Sequence, residues 1–140
     1  MTDAILSHPF DASLMLRDEG AGNLSASANT SSKAVNGVIR KGLAVQIVIP
    51  QATGTTPTLL AAVQLSTDDS TFYEVARNFG GAQTPNTEGD VWIIPFVVPA
   101  GRYYVRVAFT VAGTTPDFGE VLAGVIPNPG ANYDRDNHWL

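Results

Sequence analysis

Ten consecutive residues constrain this chain more than any other stretch. From Arg102 to Val111 the side chains alternate without a break. Tyr103, Val105, Val107, Phe109 and Val111 fall on one face, and Arg102, Tyr104, Arg106, Ala108 and Thr110 on the other. A helix, repeating every 3.6 residues, scatters these two sets around its circumference, whereas a strand, repeating every two, sorts them. At about 1.5–3 kcal/mol per fully buried large apolar side chain, the apolar face supplies on the order of 10 kcal/mol before chain entropy is subtracted. The segment is therefore a strand with a core beneath it.

The same period recurs along the chain. Leu43, Val45, Ile47 and Ile49 share a face and are stopped by Pro50, and Leu59, Val63 and Leu65 share another. Ser66 to Ser70 reads as a hairpin-type turn into a short strand over Thr71 to Arg77. Val91 to Val98 is almost continuously apolar but holds Pro95, which cannot donate to a ladder and so puts its strand at an edge or a bulge. Ser13 to Arg17 reads as a first strand, closed by the turn Asp18-Glu19-Gly20, and Phe118 to Ile126 as the last, with Gly119 and Gly124 at bulges. Gln51 to Pro57, Phe79 to Gly89, Pro99 to Gly101 and Gly113 to Pro116 read as loops and turns, and Asn36-Gly37 as a turn. The Ser/Ala/Asn/Thr-rich stretch from Ala21 to Asn36 reads as an irregular edge segment.

No stretch of twelve residues holds a helical period. Seven or eight strands joined by turn-rich loops predict an all-β fold, an antiparallel two-sheet β-sandwich. Jelly-roll and immunoglobulin-like strand orders share this pattern. A chain of 140 residues suits one domain, here residues 1–129 with an N-terminal arm, followed by a polar tail over 130–140 that ends in Trp139 and Leu140.

Composition excludes several function classes. Charged residues make up 15% of the chain, below the usual ~25%, which fits a turn-rich sandwich or a surface partly covered by a partner. The net charge is −5, and no basic run exceeds Arg40-Lys41, so phosphate-driven nucleic-acid binding is not expected. With no cysteine there is no disulfide, thiol chemistry or thiolate metal site. The N-terminus lacks a basic-then-apolar leader, and no apolar run approaches the ~18 residues of a membrane span. The expectation is synthesis in a cytoplasm, with no membrane partner.

The chemistry-bearing residues are sparse. A nucleophile needs a base beside it, and the only histidines, His8 and His138, lie within ten residues of the ends. The adjacent carboxylates Asp18-Glu19 and Asp68-Asp69 sit in turn sequences, where aspartate caps backbone. The segment Asp134-Arg135-Asp136-Asn137 lacks the later glycine and distal glutamate of a calcium loop, and Gly80-Gly81 does not join a strand to a helix. No catalytic residue, cofactor or metal is expected. The residues that suit a partner interface are the stripe Arg102, Tyr104 and Arg106 and the terminal anchor Trp139 and Leu140, since Arg, Tyr and Trp are favoured at interfaces. Tyr73, Tyr104 and Trp92 would make a carbohydrate platform if they shared a face.

Four features also occur in a characteristic order. They are Ser13 to Gly20 leading into the Ser/Ala/Thr-rich stretch; the strand from Leu59 running into Ser66-Thr67-Asp68-Asp69-Ser70-Thr71-Phe72; Pro99 to Val107 with Thr110-Val111-Ala112-Gly113; and Gly119 to Ile126. In this order the chain, over roughly residues 5 to 128, resembles the jelly-roll capsid cement (decoration) proteins of tailed bacteriophages. The tail after Pro129 has no counterpart in that resemblance. The resemblance implies a non-enzymatic virion protein on the capsid exterior that binds the major capsid protein, bridges capsomers and associates with itself as a dimer or trimer. It also implies mobile termini and exposed strand edges available for sheet augmentation. Related sandwiches occur in phage tails and baseplates, where a few to dozens of copies replace the hundreds of a coat.

Overall fold

The computed structural model describes residues 14–36 and 42–127. Both histidines, the arm before Leu14, Gly37, the Arg40-Lys41 pair and the tail with Trp139 and Leu140 lie outside the described residues.

Among the described residues nine strands form two antiparallel sheets packed as a β-sandwich: β1 (Met15–Arg17), β2 (Ala28–Asn29), β3 (Lys33–Asn36), β4 (Leu43–Ile49), β5 (Thr53–Ser66), β6 (Tyr73–Arg77), β7 (Asp90–Phe96), β8 (Arg102–Asp117) and β9 (Leu122–Pro127). One sheet has the order β1-β9-β4-β7. The other has β2-β8-β5-β6, with β3 also paired to β8. The alternating faces read from the sequence meet between the sheets. Val45 and Ile47 from β4, Leu59, Val63 and Leu65 from β5, and Val105 and Val107 from β8 are all fully buried. The stretch from Ala21 to Asn36 is an irregular edge segment, as its composition suggests, held to the sheet through the short β2 and β3 and through bonds of Ser27 and Thr30 to β8. Pro95 sits on edge strand β7, paired opposite Ala44 without a register shift, so the proline marks an edge and not a bulge. The register of β1 is irregular opposite Gly124, one of the two glycines expected at a bulge.

Two expected loops are absent. Gln51 to Pro57 and Gly113 to Pro116 carry the same four residues, Gly-Thr-Thr-Pro, at 54–57 and 113–116. Turn-forming composition predicts a break at each. Instead the copies run beside each other, with Thr55 opposite Thr114 and register shifts between Thr53, Thr55 and Thr58, so β5 starts at Thr53 and β8 continues to Asp117. The bend is made by close backbone approach. Gly54 and Gly113 have φ of 110° and 118°, and a Cβ on either would lie 2.6 Å from Thr115 O or 2.7 Å from Thr56 O. Thr56 and Thr115 take φ of 47° and 48°, strained for β-branched residues. This paired corner carries neighbouring strands from one sheet to the other, β4 into β5 and β8 into β9.

The last strand is also shorter than its apolar run. Phe118 to Val121 is a connection, with Phe118 fully buried. It is pinned by Phe118 N–H donating to Leu24 O (3.0 Å) and Leu24 N–H donating to Gly119 O (2.8 Å). The apolar residues there fill the end of the core, so their pattern continues although the ladder does not.

Candidate docking surface

The two sheets present opposite kinds of outer face. On the five-stranded sheet, Arg102, Tyr104 and Arg106 do point outward, since Val105, Val107 and Phe109 between and beyond them are buried. They are engaged with their own domain. The Arg106 guanidinium donates from Nε to Gln64 Oε1 at 2.8 Å and lies over the Phe72 ring, 4.0 Å from its centroid. Arg102 lies over the Tyr104 ring at 5.4 Å. This stripe braces the sheet it stands on.

The four-stranded sheet shows something else. Its register puts Ala44, Gln46 and Val48 of β4 beside Pro95, Ile93 and Val91 of β7 on one side, and beside Ile126, Gly124 and Leu122 of β9 on the other. Met15 of β1 lies opposite Gly124. All face away from the core, and among them only Gln46 is polar and none is charged. Ala44 and Gly124 are buried within this face, and Gln46, Val48, Leu122 and Ile126 are half-buried. Val91 and Ile93 remain about half exposed. With strands ~4.8 Å apart and ~3.4 Å per residue, the face measures about 20 by 20 Å. The sequence carried the signal for it. An antiparallel strand with one wet face alternates, yet β4, β7 and β9 are apolar on both faces.

The free edge beyond β7 has lost two of its outward donors. Pro95 has no N–H, and in an uninterrupted register this places Val91, Ile93 and Pro95 in the set whose backbone groups point away from β4. The Val91 N–H is already taken by Asp90 Oδ1 at 3.0 Å. Capping and proline together blunt the edge.

Beside that edge stands Phe79, 98% exposed, in the loop between β6 and β7. Its neighbour Asn78 is buried. Asn78 Oδ1 accepts from Ala61 N–H (2.9 Å), Asn78 Nδ2 donates to Gly81 O, and Asn78 N–H donates to Ala61 O (3.1 Å). Gln83 exchanges backbone bonds with Leu59 and donates from Nε2 to Gly80 O. The loop is fastened to β5 at both ends, and the ring is held out in water.

The remaining candidates do not assemble a reactive centre. Asp68 caps the β5–β6 turn, its Oδ1 accepting from Ser66 Oγ, Ser70 N–H and Thr71 N–H at 2.8–2.9 Å. These bonds, that from Thr71 foremost, hold its carboxyl below the ordinary aspartate value. Among the described residues no group of three or more His, Cys, Asp or Glu side chains is placed to hold a metal ion, and no helix is long and apolar enough to cross a membrane. Tyr73, Trp92 and Tyr104 do not form a platform: Trp92 is inside, opposite Ile47, Tyr73 faces inward from the other sheet, and Tyr104 faces outward. The chain matches no protein-family model and no curated protein sequence.

Proposed function

We propose that this chain is a structural virion protein that decorates and stabilises a tailed-phage capsid, attaching to the major capsid protein shell through the outer face of the β1-β9-β4-β7 sheet. The observation that carries the attachment surface is the outer face of β4, β7 and β9, which presents no charged side chain in a chain of net charge −5. A face free of charge loses little on desolvation and gains from burial of its aliphatic side chains. The shell as partner comes from the ordered resemblance to capsid cement proteins. The strand order supports the same reading. With β2 and β3 counted as one interrupted strand, the sheets read first-last-third-sixth and second-seventh-fourth-fifth, the interleaving of two Greek keys in a jelly roll.

A face of about 400 Å² is roughly half of what each partner gives to a standard interface of ~1,600 Å² total. Single attachments are thus weak, and a coat of many copies bridging capsomers gains its stability from multivalency. The test is quantitative protein stoichiometry on purified particles with high-resolution imaging of the heads. Hundreds of copies on the outer shell are expected, with the Gln46 face toward the capsid protein. A few copies confined to the tail would move the function there, and absence from the particle would end the virion reading.

A further inference from the structure

Among the described residues Phe79 is the large apolar side chain most open to water, at 98% exposed. The fold holds it there. Gly81 N–H donates to Asn78 O at 3.0 Å and closes a four-residue turn with Phe79 and Gly80 at its tip. Gly80 and Gly81 take φ of 85° and 77°, the left-handed region that glycine enters freely and side-chain-bearing residues rarely do. Asn78 and Gln83 tie the two sides of the loop to β5. Two glycines and a buried asparagine thus keep a phenyl ring in water, an arrangement from which folding gains nothing. The ring also adjoins the face described above. Phe79, Val91 and Ile93 line one hollow along the β7 edge, and Val91 and Ile93 belong to the outer face of the four-stranded sheet.

We infer that Phe79 is the anchor of the attachment face: its ring enters an uncharged pocket on the capsid subunit, while β4, β7 and β9 lie against the surface around that pocket. The inference rests on the reading of this chain as a capsid-attached protein and adds the residue that sets the affinity and the chemistry its partner must present. Area favours it. The sheet face of about 400 Å² is short of the ~800 Å² each partner gives to a standard interface, and a phenylalanine side chain adds about 150–250 Å². Interface energy concentrates in a few anchors that fill pockets, ringed by contacts that mainly exclude water, and a projecting ring beside an aliphatic face has that form. Because the loop is fastened before binding, little affinity is lost in ordering it. The charged side chains of the adjoining strands are engaged within the chain. Glu74 holds Arg77 at 2.7 Å, and Asp90 accepts from Val91 N–H at 3.0 Å and from Trp92 Nε1 at 3.3 Å. A charge in the receiving pocket would find no counter-ion there and would be desolvated by the ring, so the pocket is apolar.

The test is saturation binding of wild type, Phe79→Ala and Phe79→Leu to phage heads stripped of this protein, with sedimentation equilibrium of each free protein up to ~200 µM. Phe79→Ala should lose at least about 30-fold in affinity, and Phe79→Leu, which still fills an apolar pocket, less than about tenfold. Both variants should melt with wild type, because a side chain 98% exposed has no packing to lose, and the three free proteins should sediment alike. Wild-type binding that Phe79→Ala keeps to within about tenfold would overturn the inference and leave the capsid reading standing. Phe79→Leu binding no better than Phe79→Ala would remove the apolar pocket and with it the inference. Self-association of wild type that Phe79→Ala abolishes would assign the ring to a second copy and overturn it too. Heads that bind no wild-type chain would end both the inference and the reading on which it rests.

Discussion

Asn78 decides whether the exposed Phe79 is presented or merely loose, and replacing it with alanine measures this. The side chain is 5% exposed, and Ala61, whose N–H it accepts, is fully buried. Alanine leaves that N–H without a partner in a dry environment, at a cost of about 1–3 kcal/mol, and removes the bond to Gly81 O, worth about 0.5–1.5 kcal/mol. Asn78→Ala should therefore lose about 2–4 kcal/mol. For a domain of this size that lowers the melting temperature by roughly 6–14 °C. Gln83→Ala removes an exposed bond to Gly80 O and should cost less than about 1 kcal/mol. The assay is urea unfolding followed by circular dichroism, with the slope m unchanged so that the midpoint shift reports stability. If Asn78→Ala melts within 2 °C of wild type, or no lower than Gln83→Ala, the loop is not fastened through Asn78 and the argument for a preorganised Phe79 fails.

Three further outcomes follow from other parts of the molecule. Gly113→Ala puts a methyl group 2.7 Å from Thr56 O at a φ of 118° and should destabilise by about 2–4 kcal/mol in thermal melts; a neutral result would mean that the paired Gly-Thr-Thr-Pro corner is not as close as described. Arg106→Ala loses the Gln64 bond and the Phe72 stacking and should cost about 1–2 kcal/mol of stability while leaving shell binding intact; the reverse pattern would restore the Arg stripe as a partner surface. Asp68 titrates lower in the fold than in the unfolded chain, so its contribution is full above the ordinary value of 3.8 and disappears as pH falls through the lower folded value. Wild type should therefore melt above Asp68→Asn near neutrality, with the gap closing as the medium becomes more acidic than 3.8; a gap that widens in acid would show that the sign is wrong.

Much of this fold is legible in the sequence because it rests on strict alternation. β4 begins and ends at the residues its pattern names, and the inward set of β8 is the one that period two selects. The reading fails where composition and geometry part. Gly, Thr and Pro mark turns when isolated, but two Gly-Thr-Thr-Pro copies 59 positions apart make a paired corner, and local reasoning does not see a partner that distant. The residue types of Arg102, Tyr104 and Arg106 suit an interface, yet Gln64 and Phe72 on neighbouring elements engage Arg106. Only the sheet order shows that Gln46, Val48, Ile93 and Leu122 share one outer face. Phe79 had no sequence signal beyond a large apolar residue before two glycines.

The account turns on the outer face of the four-stranded sheet, and one substitution at its centre tests it most directly. Gln46→Glu changes no shape and places a carboxylate between Ile93 and Gly124 in register. In the free protein that charge keeps access to water, and stability should move by less than about 1 kcal/mol. Buried unpaired against a shell, it costs several kcal/mol, which corresponds to a loss of at least ~100-fold in affinity. The measurement is saturation binding of purified wild type and Gln46→Glu to phage heads stripped of this protein. The account predicts saturable binding of hundreds of wild-type copies per head, and almost none of the folded variant at the same concentrations. Equal binding of the two proteins would show that this face does not meet the capsid.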